Sequence, residues 1–297
     1  MKLSSRAGAF AVALVLNTLA STALAADPVL EGQVDRPPTR AEQKAADAKL
    51  RAAARYLATQ PDGSGLAATA VCPDPLSVGE PVVADEAAPA GDVTALACGV
   101  PSGALAVEAR DQIFGHYCGP AVGQVISNYA WAMSSGWNKY TQQQIAAWMN
   151  TDNNGGTSSW WMANGLTVAT NWSPRRPADF VYVAQGLVDS NGSGTAGDEW
   201  HAFVRYDISH DRMPLAVSLK PHQPYANVWL TSWPVEVWSV GHWIGVYGWY
   251  GLWNGGDFPR VYYTDSSRDE GGSTGKFSDP SRHVYLLISW HTNIIVW

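Results

Sequence analysis

Gln112-Ile113-Phe114-Gly115-His116-Tyr117-Cys118-Gly119-Pro120-Ala121 leads directly into an apolar pattern, and this junction sets the layout of the chain. Ala121, Val122, Val125, Ile126, Tyr129, Ala130 and Met133 recur with a period of 3.6, which predicts a helix from Cys118 to about Met133. Pro120 suits a first helical turn, where its missing N–H costs nothing. Cys118 therefore stands at a helix N-terminus. Free N–H groups and the macrodipole there stabilise a thiolate and lower the pKa of the thiol. The same N–H groups can hold an oxyanion. Cysteine is also often just a small buried hydrophobe, so the surroundings of Cys118 decide between the two.

Downstream, Thr141-x-x-Gln144 caps a short helix through Met149. Residues 152–159 form a polar Gly/Asn/Ser loop, and a third helix spans about Ser158 to Thr167. Strands follow at 180–184, 214–219, 242–249, Arg260–Asp265, 284–290 and 294–297. Helices first and antiparallel strands after is the α+β class, with N-terminal helices packed on an antiparallel sheet over a domain of residues 106–297. Upstream, residues 26–105 are rich in Ala, Pro and acids. Thr39-Arg40-Ala41-Glu42 reads as a capping box that opens one helix to about Leu57, and 61–101 reads as loop. Such a segment cannot build its own core. It reads as a propeptide that covers the site, a spacer, or a strap on the main domain.

The chain has 297 residues, 46% hydrophobic and 15% charged, which excludes wholesale disorder. Residues 1–25 read as a secretory signal: Lys2 and Arg6 are the basic end, 7–19 the apolar stretch, and Ala23-Leu24-Ala25 the cleavage site. Removing Lys2 and Arg6 takes the net charge from −7 to −9. An acidic protein without a basic cluster is a poor partner for nucleic acid or anionic membrane. No later stretch reads as a membrane anchor, so the expected location is extracellular, or periplasmic or cell-wall associated in a host with two membranes. In that compartment Cys72 and Cys98, 26 positions apart, are expected to pair, contributing about 3.5 kcal/mol on the chain-entropy estimate. Cys118 is left over. A lone thiol outside the cytosol is an accident, an intermolecular link or a reactive group.

A nucleophile needs a base. Of the seven His, His242 is best placed, in Gly241-His242-Trp243-Ile244-Gly245-Val246-Tyr247-Gly248. It opens a strand that reads as the first arm of a hairpin, with Asn254-Gly255 at the turn and Arg260–Asp265 as the second arm. In a simple hairpin His242 and Asp265 are direct cross-strand neighbours, Cβ atoms about 5 Å apart. A bulge would shift the count, and Asp257 and Asp269 compete for the role against the register. Carboxylate to imidazole is the base-orienting contact of a triad.

Taken in order, Gln112-x5-Cys118-Gly-Pro-Ala, the glycine-rich His242 strand and Tyr262-Tyr263-Thr264-Asp265 resemble the papain-like peptidases that process bacteriocins at double-glycine leaders. The likeness is greatest to their secreted, stand-alone relatives and covers roughly residues 106–288. It implies a papain-like fold, with Cys118 as nucleophile, His242 as base, Asp265 orienting it and the Gln112 side chain in the oxyanion hole. The Gly155-Gly156-Thr157-Ser158 loop looks like the family's Gly/Thr-rich loop, with no catalytic role implied. Classical members are domains of ABC exporters, and no transmembrane segment or nucleotide site reads out of this chain. The implied activity is cysteine peptidase without metal or organic cofactor, acting on a peptide or cell-wall peptide. Alternatives are a cell-wall amidase or acyl transferase with the same triad, and a non-catalytic Trp-rich peptide- or glycan-binding module. The oligomeric state is not legible.

Other signals are bland. Gly192 to Gly197 matches G-x-G-x-x-G without a βαβ context, and Gly271 to Lys276 lacks the glycine spacing and Ser/Thr of a P-loop. His201, His210 and His222 lack metal-ligand spacing and read as surface residues. All 15 Trp lie between Trp131 and Trp297; most read as core in a chain poor in Phe, although several could line a groove.

Overall fold

The computed structural model describes residues 38–59, 102–153, 155–187, 195–220, 228–233, 241–251, 259–267 and 273–297. The signal segment, Cys72, Cys98, His222, Asp257, Asp269 and the turn at Asn254-Gly255 lie outside the described residues. The elements in chain order are α1 (Arg40–Thr59), β1 (Ser102–Ala104), α2 (Cys118–Ala130), α3 (Gln142–Trp148), α4 (Ser159–Thr170), β2 (Ala184–Gly186), α5 (Thr195–Tyr206), a π turn (Asp207–Asp211), β3 (Leu215–Leu219), β4 (His242–Tyr250), β5 (Arg260–Asp265), β6 (Gly275–Pro280), α6 (Ser281–Ser289) and β7 (Ile294–Val296). This is mixed helix and antiparallel sheet, as the α+β reading expects.

The strands form one sheet in the order β2-β7-β3-β4-β5-β6, with β1 pairing the far end of β4. Every pairing is antiparallel. β4 is central and buried along its whole length, so it reads apolar on both faces rather than alternating. Helix α2 lies against β4 and is sandwiched by α3 and α4. All thirteen of its residues are buried. Its polar side chains are satisfied locally: Gln124 Nε2 donates to the Tyr140 carbonyl at 2.8 Å, and Asn128 Nδ2 donates to Asn138 Oδ1 at 2.8 Å. The close seat of α2 on β4 uses Gly245, where an added Cβ would stand 2.9 Å from Thr264 Oγ1 and 3.4 Å from Val122 Cγ1.

Several expectations hold and several shift. The capping box of α3 forms, with Thr141 Oγ1 accepting from Gln144 N and Gln144 Oε1 accepting from Thr141 N. The Thr39–Glu42 box forms the same way at the start of α1. Helix α2 ends at Ala130, short of Met133, because Ala132 turns into the left-handed region (φ 52°). Residues 180–183 are not strand as expected; the ladder with β7 starts at Ala184, although Val183 and Trp297 exchange backbone hydrogen bonds at 2.9 and 3.1 Å. The strand expected at 284–290 is instead α6. Val284, Leu287 and Ile288 are buried at spacings of three and one, a helical stripe that the β-branched and aromatic composition disguised. Helix α5 and edge strand β6 were not expected. β6 carries Asp279 and Pro280 and pairs on one side only, which is where a sheet tolerates such residues.

His201 is buried rather than superficial. Its Nδ1 meets Ser281 Oγ and its Nε2 meets the Gly251 carbonyl, both at 3.0 Å. Burial lowers its pKa to about 4, so it serves as a neutral hydrogen-bonding core residue. Trp200, Trp243, Trp249 and Trp297 are core as read, while Trp137 and Trp172 are exposed. Among the described residues no helix is long and apolar enough to cross a membrane, and no cluster of three or more His, Cys, Asp or Glu could hold a metal.

Candidate active site

Cys118 opens α2 with Tyr117 as N-cap, and no side chain caps this end. The first-turn N–H groups are left to the thiol and its surroundings. Gly119 lets the helix end approach the 155–158 loop: a Cβ there would stand 2.5 Å from Thr157 Oγ1. Trp243 Nε1 donates to the Thr157 carbonyl at 2.9 Å, tying the start of β4 to the same loop. The helix end and the first residues of β4 are thus held against one strap of chain.

His242, the first residue of β4, is buried next to the Cys118 thiol, and each group favours the charged form of the other. Its Nε2 meets Asp265 Oδ1 at 2.8 Å, which leaves Nδ1 for the sulfur. The expected geometry is corrected in one respect. The β4–β5 ladder shifts between Val246 and Gly248, and Gly245 pairs with Thr264. Extending that register puts Asp265 opposite Ile244, so His242 reaches it diagonally along one face. Diagonal neighbours stand about 7–8 Å apart, a span that an imidazole and a carboxylate bridge. Nearer the turn Gly248 pairs with Tyr262, a register that would put Asp265 opposite Gly245 and on the other face from His242; the one-residue shift in β4 returns Asp265 to the His242 face.

Asp265 is fully buried and four donors converge on it. Oδ1 accepts from His242 and from Ser267 N at 2.9 Å. Oδ2 accepts from Ser232 Oγ at 2.6 Å and Trp233 Nε1 at 2.9 Å. The Trp233 ring stands edge-on to His242 with centroids 5.9 Å apart. Ser232 and Trp233 were missed in the sequence. They lie in residues 228–233, outside any helix or strand, and no local pattern marks such a segment.

The electrostatics favour an ion pair. Burial pushes the Cys118 thiol up, but the His242 hydrogen bond and charge, with the N–H groups of Trp243 and Gly119, bring it below its ordinary value. Burial pushes His242 down, but the charge and hydrogen bond of Asp265, then those of Cys118, raise it well above the usual imidazole range. Burial likewise opposes ionisation of Asp265, and the His242 charge, with the Ser232 and Ser267 donors, outweighs it and holds the carboxyl low.

Gln112 is buried in the loop before α2. Its backbone N donates to the Ser266 carbonyl at 3.2 Å, next to Asp265, and its Nε2 donates to the Gly115 carbonyl at 2.9 Å. One N–H of the amide is spent on that turn, and its second remains for an acceptor. Ile113 and Phe114 in the same loop are exposed, with Phe114 stacked on His116 at 5.9 Å. The structure thus brings Cys118, His242 and Asp265 together, with His242 hydrogen-bonded to Asp265, and sets Gln112 in the adjoining loop.

No protein-family model matches the chain, and no curated protein matches it. Among solved structures it is similar to the peptidase domain of Streptococcus ComA, a bi-functional ABC transporter involved in a quorum sensing pathway. That match covers 64% of this chain and 96% of that one, at 13% identity and a TM-score of 0.32.

Proposed function

We propose that the chain is a secreted cysteine peptidase on a papain-like α+β scaffold, hydrolysing peptide bonds through Cys118, His242 and Asp265. One observation carries this reading. A thiol at the N-terminus of a buried helix lies next to an imidazole whose Nε2 meets a fully buried carboxylate at 2.8 Å, and thiol and imidazole each favour the other's charged form. That arrangement is the activated nucleophile, base and orienting group of thiol hydrolysis.

In this reading the Cys118 thiolate attacks the scissile carbonyl. The resulting oxyanion is stabilised by N–H groups at the start of α2 and by the Gln112 amide. His242 protonates the leaving amine, the C–N bond breaks, and an acyl-enzyme remains. His242 then takes a proton from water, which attacks the thioester and releases the acid. Asp265 holds the imidazole in place and favours its charged form. No step calls for a metal or organic cofactor. The exposed Ile113 and Phe114 offer an apolar rim to an extended chain entering beside Cys118.

The test is a screen of unstructured peptides and cell-wall stem peptides with wild type, Cys118→Ala and Gln112→Ala. We expect amide cleavage that Cys118→Ala abolishes and Gln112→Ala slows in kcat by roughly 10²–10³. Cleavage that survives Cys118→Ala would overturn the reading. Release of stem-peptide amines, or transfer to an added amine, would instead assign the amidase or acyl-transferase version.

A further inference from the structure

The line from Cys118 continues beyond Asp265, and it ends on a second buried carboxylate. Asp279, on edge strand β6, is buried. Its Oδ2 accepts from Thr231 N at 2.8 Å and from Tyr263 Oη at 2.6 Å, and its Oδ1 accepts from Thr231 Oγ1 at 2.7 Å. Thr231 directly precedes Ser232 and Trp233, the two donors to Asp265 Oδ2. Tyr263 Oη in turn stands 3.3 Å from Ser232 Oγ.

Residues 228–233 belong to no ladder that would fix their position. Among the contacts that hold them are the Asp279 clamp on Thr231, the Ser273 N–H on the Ser232 carbonyl at 3.1 Å, the Trp233 N–H on the Leu230 carbonyl at 3.0 Å, and the buried Leu230 side chain. The placement of the two donors on Asp265 Oδ2 therefore depends in part on Thr231. A hydrogen bond to a buried carboxylate is worth most when donor and acceptor are both immobilised.

We propose that Asp279 is a positioning residue for the Cys118–His242–Asp265 line, acting through Thr231 and Tyr263 to keep Ser232 and Trp233 on Asp265 Oδ2. The proposal rests on the reading of that line as the catalytic one. Without the two donors the Asp265 carboxylate is free to turn out of line with His242, and the loosened contact with the imidazolium makes His242 a weaker base and Cys118 a weaker acid. The effect would narrow the active pH range from both sides without touching substrate contacts.

The experiment follows the rate of Cys118 alkylation by iodoacetamide against pH in wild type, His242→Ala, Asp279→Ala, Asp279→Asn and Ser232→Ala, each checked for folding by circular dichroism. The peptide assay follows kcat and KM in parallel. In Asp279→Ala we expect the alkylation midpoint to rise by about one unit, slowing the reaction about tenfold at pH 6. The alkaline limb of kcat should move down, and KM should hold. Asp279→Asn keeps an acceptor for Thr231 N and Tyr263 Oη, and its amide can donate to Thr231 Oγ1, so it should restore most of the wild-type profile. Ser232→Ala removes one hydroxyl and should shift the midpoint the same way by about half as much; it carries the test if Asp279→Ala does not fold. A midpoint that rises in His242→Ala but is unmoved in both Asp279→Ala and Ser232→Ala would sink the positioning role alone. An ordinary midpoint in wild type, insensitive to His242→Ala, would overturn the catalytic reading and this proposal together.

Discussion

His242 shows how opposed effects on one side chain are settled by its neighbours. Burial disfavours its charge, yet a fully buried Asp265 at 2.8 Å outweighs that cost. The raised imidazole in turn offsets the burial of Cys118. In His242→Ala the largest opposing influence on the thiol is gone, so burial should carry the Cys118 midpoint above that of a free thiol, about 8.5. Alkylation at pH 6 should then become slow, and an unchanged rate would contradict the pairing. The same shifts govern stability with pH. His242 is raised in the folded state, so its contribution is complete below the unfolded value of about 6.5 and is lost as pH rises through the folded value. Asp265 is lowered, so its contribution is present above about 3.9 and is lost as pH falls through the folded value. Asp265→Asn should flatten the acid side of a melting curve measured across pH 2 to 5, taken as about the span where an unperturbed Asp titrates; an unaltered acid side would contradict this account of Asp265. Cys118 and His242 were legible as candidates because each carries a local mark, a cysteine at a helical onset and a histidine opening an apolar strand. Ser232, Trp233 and Asp279 carry no such mark. Their role arises only where residues 231–233 cross β5 and β6.

At the scale of elements, the working end is made where the start of α2 meets the 155–158 loop and the start of β4. Gly119 permits that meeting, since a Cβ would stand 2.5 Å from Thr157 Oγ1 and 2.8 Å from Thr157 Cβ. Gly119→Ala should destabilise by about 1–3 kcal/mol, as overpacking does, measurable as a lower urea midpoint. Activity should fall further than the folded fraction, because the displaced atoms adjoin Cys118. A variant as stable and active as wild type would show that the loop yields freely. Helix α2 was readable from its apolar period and α3 from its capping box. The exchange of strand for helix at α6 has a different cause. Val284, Tyr285, Ile288 and Trp290 favour strands by composition, and only packing of Val284, Leu287 and Ile288 into the core selects the helix. The β4 bulge likewise left no trace in the sequence, because a ladder shift depends on the partner strand.

Across the whole molecule, α1 is joined to the rest through a buried charge. Lys49 Nζ stands 3.0 Å from Asp207 Oδ1, with the Phe180 ring centroid at 4.1 Å and the Trp297 centroid at 4.7 Å. Tyr56 adds edge contacts with Tyr206 and His210 at 5.5 and 5.1 Å. Burial lowers the Lys49 pKa, with Asp207 and Asp211 opposing, and burial raises Asp207 to about 7, with Lys49 opposing. Both directions say that burying this pair costs more than the pairing returns. Lys49→Met removes the cation beside Asp207, so it should destabilise by about 3–5 kcal/mol at pH 8, where that carboxyl must either stay charged without its partner or hold a proton far above the usual carboxylate range. The loss should shrink at pH 5, where Asp207 takes up a proton. Lys49→Met with Asp207→Leu should recover most of the stability at both pH values. Equal losses at pH 5 and pH 8 in urea melts of the single variant would contradict this account. The sequence by itself determined the α+β class, the helices marked by an apolar period or a capping box, and the places of a thiol at a helical onset and a histidine opening a strand. Those are properties of neighbours along the chain. The tertiary structure alone decided the diagonal reach from His242 to Asp265, the helical state of α6, the docking of Lys49 and the donors converging on Asp265. Each of these depends on which distant segments share a buried volume, and burial sets both the cost of a charge and the value of a hydrogen bond.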